Sequence, residues 1–178
     1  MVRKEDLCDW FRNLDPTHRL DYLCGLLHIC LPLELRFVGS VLEDLAKKDY
    51  LYLRDKEIKA NTYHDVDKNQ SNSLADPCLR AKFLLTLALM KSSNFQCAEV
   101  VYRILKSAEN QFHNLSGSIL HNKQATDEIE LILMMAVHHP AFKFSQKQEI
   151  GQIQKHFQDS IDELSLHPRK VGYSLLEY

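Results

Sequence analysis

Apolar positions recur at three- and four-residue spacing along almost the whole chain, the period of amphipathic helices rather than the alternation of strands. Residues 4 to 13 place Leu7, Trp10, Phe11 and Leu14 on one side. Asp15-Pro16 then starts a second helix, with aspartate as N-cap and proline in the first turn, and Leu20, Leu23, Leu26 and Leu27 carry it to Ile29. Tyr22, Leu26 and Ile29 lie off its main stripe. A helix apolar on more than one side is buried on more than one side, and in so short a unit that favours contact with another chain. Pro32 starts a third helix, whose Leu35, Val38, Leu42 and Leu45 predict a core-facing stripe. A fourth, from Asp49 to about Asn61, alternates bulk with charge: Tyr50, Leu51, Tyr52 and Leu53 against Arg54, Asp55, Lys56, Glu57 and Lys59.

The period breaks at residues 62 to 76, where Asn, Ser, Asp and Gln dominate, which predicts a polar linker. Asp76-Pro77 repeats the helix-start signal. The fifth helix, 77 to 91, is almost wholly apolar after Lys82 and is expected to be the central helix of the second subdomain. Ser93 is the expected cap of a sixth helix bearing Phe95, Ala98, Val101, Tyr102 and Leu105. Polar text at 113 to 125 predicts a second loop. Thr126 opens a seventh helix that Pro140 stops, and Ser145 with Gln148 predicts a capping box for an eighth, over 146 to 165. The expected architecture is all-α, in two helical subdomains: a helical unit at 1-61, the linker at 62-76, a helical bundle at 77-166 and a tail at 167-178. Mostly short connections predict that neighbouring helices pack antiparallel.

Composition narrows the function. The chain has 178 residues, 45% of them apolar, with only 5 Gly and 5 Pro, which suits a packed helical protein. A net charge of -2 provides no global field for nucleic acid or anionic membrane. Its longest apolar runs fall short of a bilayer span, and the charged first residues do not read as a signal peptide, so an intracellular, cytoplasmic protein without a membrane partner is expected. Five scattered cysteines fit reduced thiols acting as small apolar groups.

Chemistry-bearing motifs are sparse. His138 and His139 are adjacent, so they project about 100° apart on a helix and cannot share a metal as an i, i+4 pair does; a helix end is the simpler reading. Glu43, Asp44, Asp49, Asp55 and Glu57 each lie beside Lys or Arg, as on a solvated face. No nucleotide-binding or nucleophile-elbow motif occurs. The expectation is a chain that is not an enzyme and needs no cofactor or metal. Arg36, Lys47, Lys48, Arg54, Lys56 and Lys59 are cationic but interleaved with acids, which dilutes attraction for phosphate; Lys143, Lys147, Lys155 and His156 form a weaker second patch. Gly39 in mid-helix invites either close approach of a neighbour or simple tolerance of a small residue.

The run of phrases PLELRF, LEDLA, KDY, LRD and EIKAN between residues 32 and 61 resembles the N-terminal domain of Smaug and of related zinc-knuckle and SAM-domain RNA-binding proteins. RAKFLLTLALM at 80 to 90, AEVVYRIL at 98 to 105 and HPAF at 139 to 142 extend the resemblance, while 62 to 76 and 110 to 125 depart from it. The resemblance implies an N-terminal dimerisation subdomain followed by a PHAT-like (pseudo-HEAT) subdomain, with a groove between them for an amphipathic helix of a partner. That partner would be a noncanonical poly(A) polymerase or another mRNA-regulatory protein. It further implies a module of a regulator that represses or stabilises mRNA, in which RNA is contacted through other domains.

For the homodimer, Trp10, Phe11, Tyr22, Leu26 and Ile29 are the expected contacts. For the peptide groove, Phe37, Arg54, Ile58 and Lys82 are the expected walls. Phe37 lies off the stripe of the third helix, and Ile58 sits four residues from Arg54 on one face, an apolar anchor beside a forked cation. The alternative readings are a helical domain that binds RNA directly through its basic residues, and an uncharacterised enzyme.

Overall fold

A computed structural model describes residues 3–62, 73–112 and 122–166. Among them the chain is all-α, without a strand: α1 (Lys4–Asn13), α2 (Pro16–Ile29), α3 (Pro32–Ala46), a 3-10 turn (Lys47–Asp49), α4 (Tyr50–Ala60), α5 (Pro77–Leu89), α6 (Phe95–Phe112), α7 (Lys123–His138) and α8 (Phe144–Leu166). Most of the polar stretch at 62–76, most of the loop at 113–125 and the tail at 167–178 lie outside the described residues.

Both Asp-Pro starts form as the residue types dictate. Asp15 accepts from the His18 N–H and Asp76 from the Cys78 N–H, each with proline in the first turn. At α3 the device is inverted: Glu34 Oε2 reaches back to accept from the Leu31 N–H at 2.7 Å. Three expected starts shift. Asn94 rather than Ser93 caps α6, its Oδ1 accepting from the Cys97 N–H. Asn122 rather than Thr126 caps α7, accepting from Ala125 N–H, so the helix begins three residues sooner than Thr126. For α8 the reciprocal contact is Gln146 Oε1 with the Lys143 N–H at 2.8 Å, not Ser145 with Gln148. At α6 and α7 an asparagine takes the place expected for a hydroxyl, because Asn caps as well as Ser does, and at α8 Gln146 takes the back-reaching place expected for Gln148.

The closed core belongs to α5–α8. Phe83, Val101, Leu105, Ile129, Ile132, Leu133, Ile150, Ile153 and Phe157 are fully buried in one cluster. Its hub is α7 rather than the expected α5: α7 packs against α5, α8 and α2, and Ala125, Ile129, Ile132, Leu133 and Ala136 are all buried. Neighbour packing holds for α4 with α5 and for α7 with α8. Elsewhere the main partners are next but one in the chain, α5 with α7 and α6 with α8. Polar links fasten the last pair: Gln146 Nε2 donates to Glu99 at 2.8 Å, Tyr102 and Lys106 both reach Glu149 at 2.6 Å, and His156 pairs with Glu109 at 3.0 Å.

The first three helices contribute no buried residue. The expected core stripe of α3 is therefore corrected: Leu35, Leu42 and Leu45 are exposed, because α3 has no extensive packing partner among the described residues. A Cβ at Gly39 would meet open space, so no close approach within this chain requires the glycine. Of the five thiols only Cys97 is buried, and Cys8 and Cys78 are exposed.

Candidate interaction surface

Helical periodicity gives α2 two apolar sides. Its half-buried side is Thr17, Leu20, Cys24 and Leu27, the side available to α7, where His138 Nε2 meets Asp21 Oδ1 at 3.1 Å. The other side carries Tyr22, Leu26 and Ile29 at i, i+4 and i+7, and these stay exposed, Leu26 by 53% and Ile29 by 78%. Trp10 of α1 joins them, its ring centred 5.3 Å from that of Tyr22. Phe11, the neighbour of Trp10, is half-buried. The residues expected at a dimer interface thus divide: Trp10 and Tyr22 touch, Leu26 and Ile29 continue along the Tyr22 side of α2, and Phe11 is more covered than the rest.

Exposure of large apolar side chains is lopsided along the chain. From α5 onward only Leu85, Phe95 and Phe144 are exposed among the described residues, whereas Leu7, Leu23, Leu33, Val41, Leu51 and Tyr52 add to those already named in α1–α4. Single exposed apolar residues are ordinary, whereas a concentration of them is a feature that interaction surfaces share.

Among the residues expected at a peptide groove, Arg54 and Ile58 come together. With Tyr50, Glu57, Asn61 and Lys91 they line a hollow of about 200 Å³ on the outer side of α4. Arg54 makes no side-chain hydrogen bond or ion pair among the described residues, so its fork of donors is available to a ligand. Phe37 is 71% exposed on α3 but does not line this hollow, and neither does the half-buried Lys82 of α5. Lys56 lies over the Tyr52 ring at 3.9 Å on the same helix.

Two residues outside the expected set organise this region. Asn61 closes α4 and bonds in three directions: Nδ2 donates to Glu57 O and Leu89 O, each at 2.9 Å, and Oδ1 accepts from the Lys91 N–H at 2.8 Å. Asn94 Nδ2 then donates to Asn61 O at 3.0 Å. Asparagine immediately after a helix is a recognised end signal, but its reach to α5 and α6 is a tertiary fact. A second hollow, of about 540 Å³, lies between the start of α2 and α7 and is lined by carboxylates, among them Asp15, Asp127 and Glu130. Burial and then the charges of Asp127 and Asp15 hold the Glu130 carboxyl above its usual range.

Neither a metal-binding group of three or more His, Cys, Asp or Glu side chains nor a helix long and apolar enough to cross a membrane occurs among the described residues.

Two family descriptions match the chain. The RNA-binding protein vts1-like domain matches residues 4–48, spanning α1 to the 3-10 turn, and the SMAUG-like PHAT domain matches residues 53–162, most of α4 through most of α8. Both descriptions are those of RNA-regulatory proteins, and the chain is a module of that class. The second match covers well over half of the chain: it belongs to the SMAUG-like PHAT domain family.

Proposed function

We propose that this chain is a non-catalytic protein-interaction module of a post-transcriptional mRNA regulator, working in the cytoplasm, that forms a homodimer through α1 and α2 and receives an amphipathic helix of a partner beside α4. The observation that carries this reading is the contrast between a closed apolar core in α5–α8 and the uncovered apolar side chains of α1–α4. Sequestering such a surface is the main driving force of association, and it demands a second protein chain more readily than a phosphate backbone. Symmetric dimers use one self-complementary patch, and Trp10 with Tyr22, Leu26 and Ile29 supplies an aromatic anchor flanked by aliphatic ones. The hollow at Arg54 and Ile58 offers an apolar contact and an unpaired guanidinium, a combination suited to a helix with apolar residues at i, i+3, i+4 and i+7 and an acid beside them.

The test is a selection of displayed random peptides on the purified chain, followed by binding measurements on Arg54→Glu. Selected peptides should show helical apolar spacing, and Arg54→Glu should abolish their binding while melting temperature and dimerisation stay unchanged. Normal binding by the variant, or its unfolding, would show that the α4 face is structural and that the groove lies elsewhere.

A further inference from the structure

The hollow at Arg54 and Ile58 is one end of a longer feature. It shares Asn61 and Lys91 with a second hollow of about 380 Å³ that takes in Ser93 and Asn94. That one shares Phe95 and Gln96 with a third, of about 540 Å³, between the start of α6 and the α7–α8 turn, where Glu99, Arg103 and Lys143 meet. Together they make a track from the outer side of α4, across the α5–α6 connection, to the N-terminal end of α8.

The charges along the track do not balance. Arg54, Lys91 and Lys143 have no side-chain ion pair among the described residues. Against them stand Glu57 and Glu99, and one oxygen of Glu99 already accepts from Gln146 Nε2 at 2.8 Å. A track with surplus positive charge thus crosses a chain of net charge -2. Beyond the α4 end, its accessible apolar contact is the exposed ring of Phe95 at the middle, while Val100 and Ala141 at the far end are buried beneath the surface.

Two chemistries could meet such a surface, and the carboxylates choose between them. A nucleic-acid strand brings a negative charge at every nucleotide, so it must pass Glu57 and Glu99 with phosphates it cannot omit. A peptide places acids opposite Lys91 and Lys143 and sets an apolar side chain against Phe95. We propose that this track binds an extended acidic segment of the partner, with aliphatic or aromatic residues between the acids, that runs on from the helix seated at Arg54 and Ile58. The proposal rests on the proposed groove for its α4 end only; its α6–α8 end stands on the unpaired lysines and the hollows.

The probe is a labelled synthetic peptide of about twelve residues, which reaches about 40 Å when extended, alternating Glu and Asp with Leu and Phe. A companion carries Gln and Asn at the acidic positions, and an oligouridylate of similar length serves as the third ligand. Binding is followed by fluorescence anisotropy and by amide shifts in nuclear magnetic resonance spectra. The acidic peptide should bind and move the amides of Lys91, Phe95 and Lys143. It should bind about tenfold or more weakly to the double variant Lys91→Glu, Lys143→Glu, the scale expected for losing rim charge pairs. Equal binding of the uncharged companion, equal binding to the double variant, or displacement of the peptide by a more tightly held oligouridylate would each overturn the proposal. The helical peptides from the displayed selection keep the track and the groove apart. If they bind the double variant as well as the native chain and the acidic probe does not bind the native chain, the track alone fails. If the acidic probe binds and no helical peptide does, the groove alone fails.

Discussion

At the residue scale, two side chains decide how the second half closes. Arg80 is only 3% exposed, and its guanidinium is extensively bonded: Nε donates to Glu128 Oε2 at 2.6 Å, and Nη1 to the carbonyls of Leu74 and Ala75 at 2.8 and 2.9 Å. It pins the turn before α5 to α7, and its hydrogen bond holds the Glu128 carboxyl below the usual range. Arg80→Met keeps the stem and removes every donor, leaving two carbonyls and a half-buried carboxylate without partners. The expected loss is about 3 kcal/mol, read as a lower denaturant midpoint at an unchanged slope, and adding Glu128→Gln should recover part of it. His139 is the second case. Its Nε2 donates to Met90 O at 3.1 Å and its Nδ1 accepts from the Ala141 N–H at 3.1 Å, so both ring nitrogens are committed in the neutral form. Burial, with Lys147 as a lesser cause, holds its pKa below the usual 6.5. A base whose folded pKa is depressed contributes full stability above its unfolded value and loses it as pH falls through that value toward the folded one. Melting temperature should therefore decline from about pH 6.5 downward, and the decline should be shallower in His139→Gln.

At the element scale, the joint between the halves is the end of α4. Ala60 is buried and Asn61 bonds to the ends of both α5 and α6, so α4 is attached to the bundle while α1 and α3 hold no extensive contact with it. The two family matches meet between residues 48 and 53, just ahead of this joint. Asn61→Ala removes the Leu89, Lys91 and Asn94 side-chain bonds together and should cost about 1–3 kcal/mol. The loss should be local: amides of the last turn of α4 and of residues 91 to 95 should exchange with solvent faster, while those of α7 keep their protection. Uniform loss of protection would mean that Asn61 supports the whole bundle rather than this joint. These contacts were not legible from spacing. Asn61 reads from sequence as an ordinary helix end, and only the fold shows that the ends of α4 and α5 and the start of α6 converge on it.

At the scale of the whole molecule, the uncovered side of α2 predicts association. Leu26→Asp should convert a dimer to a monomer in sedimentation at tens of micromolar, since an unpaired charge in an apolar interface costs several kcal/mol. Because α2 buries no residue in the core of the chain, the melting temperature of the α5–α8 bundle should change little. A native chain that sediments as a monomer at that concentration counts against the reading. What the sequence by itself determined is the all-α architecture, the Asp-Pro starts of α2 and α5, and the pairing of Arg54 with Ile58, all consequences of local periodicity, fixed proline φ and short-range capping. The tertiary structure alone decided that the apolar stripe of α3 is left uncovered, that α7 rather than α5 is the hub, and that Phe37 and Lys82 stand apart from the hollow at Arg54. A helical period says which side of a helix is apolar, but not what covers it, because burial is set by contacts between segments distant in the chain, and those depend on how whole helices pack.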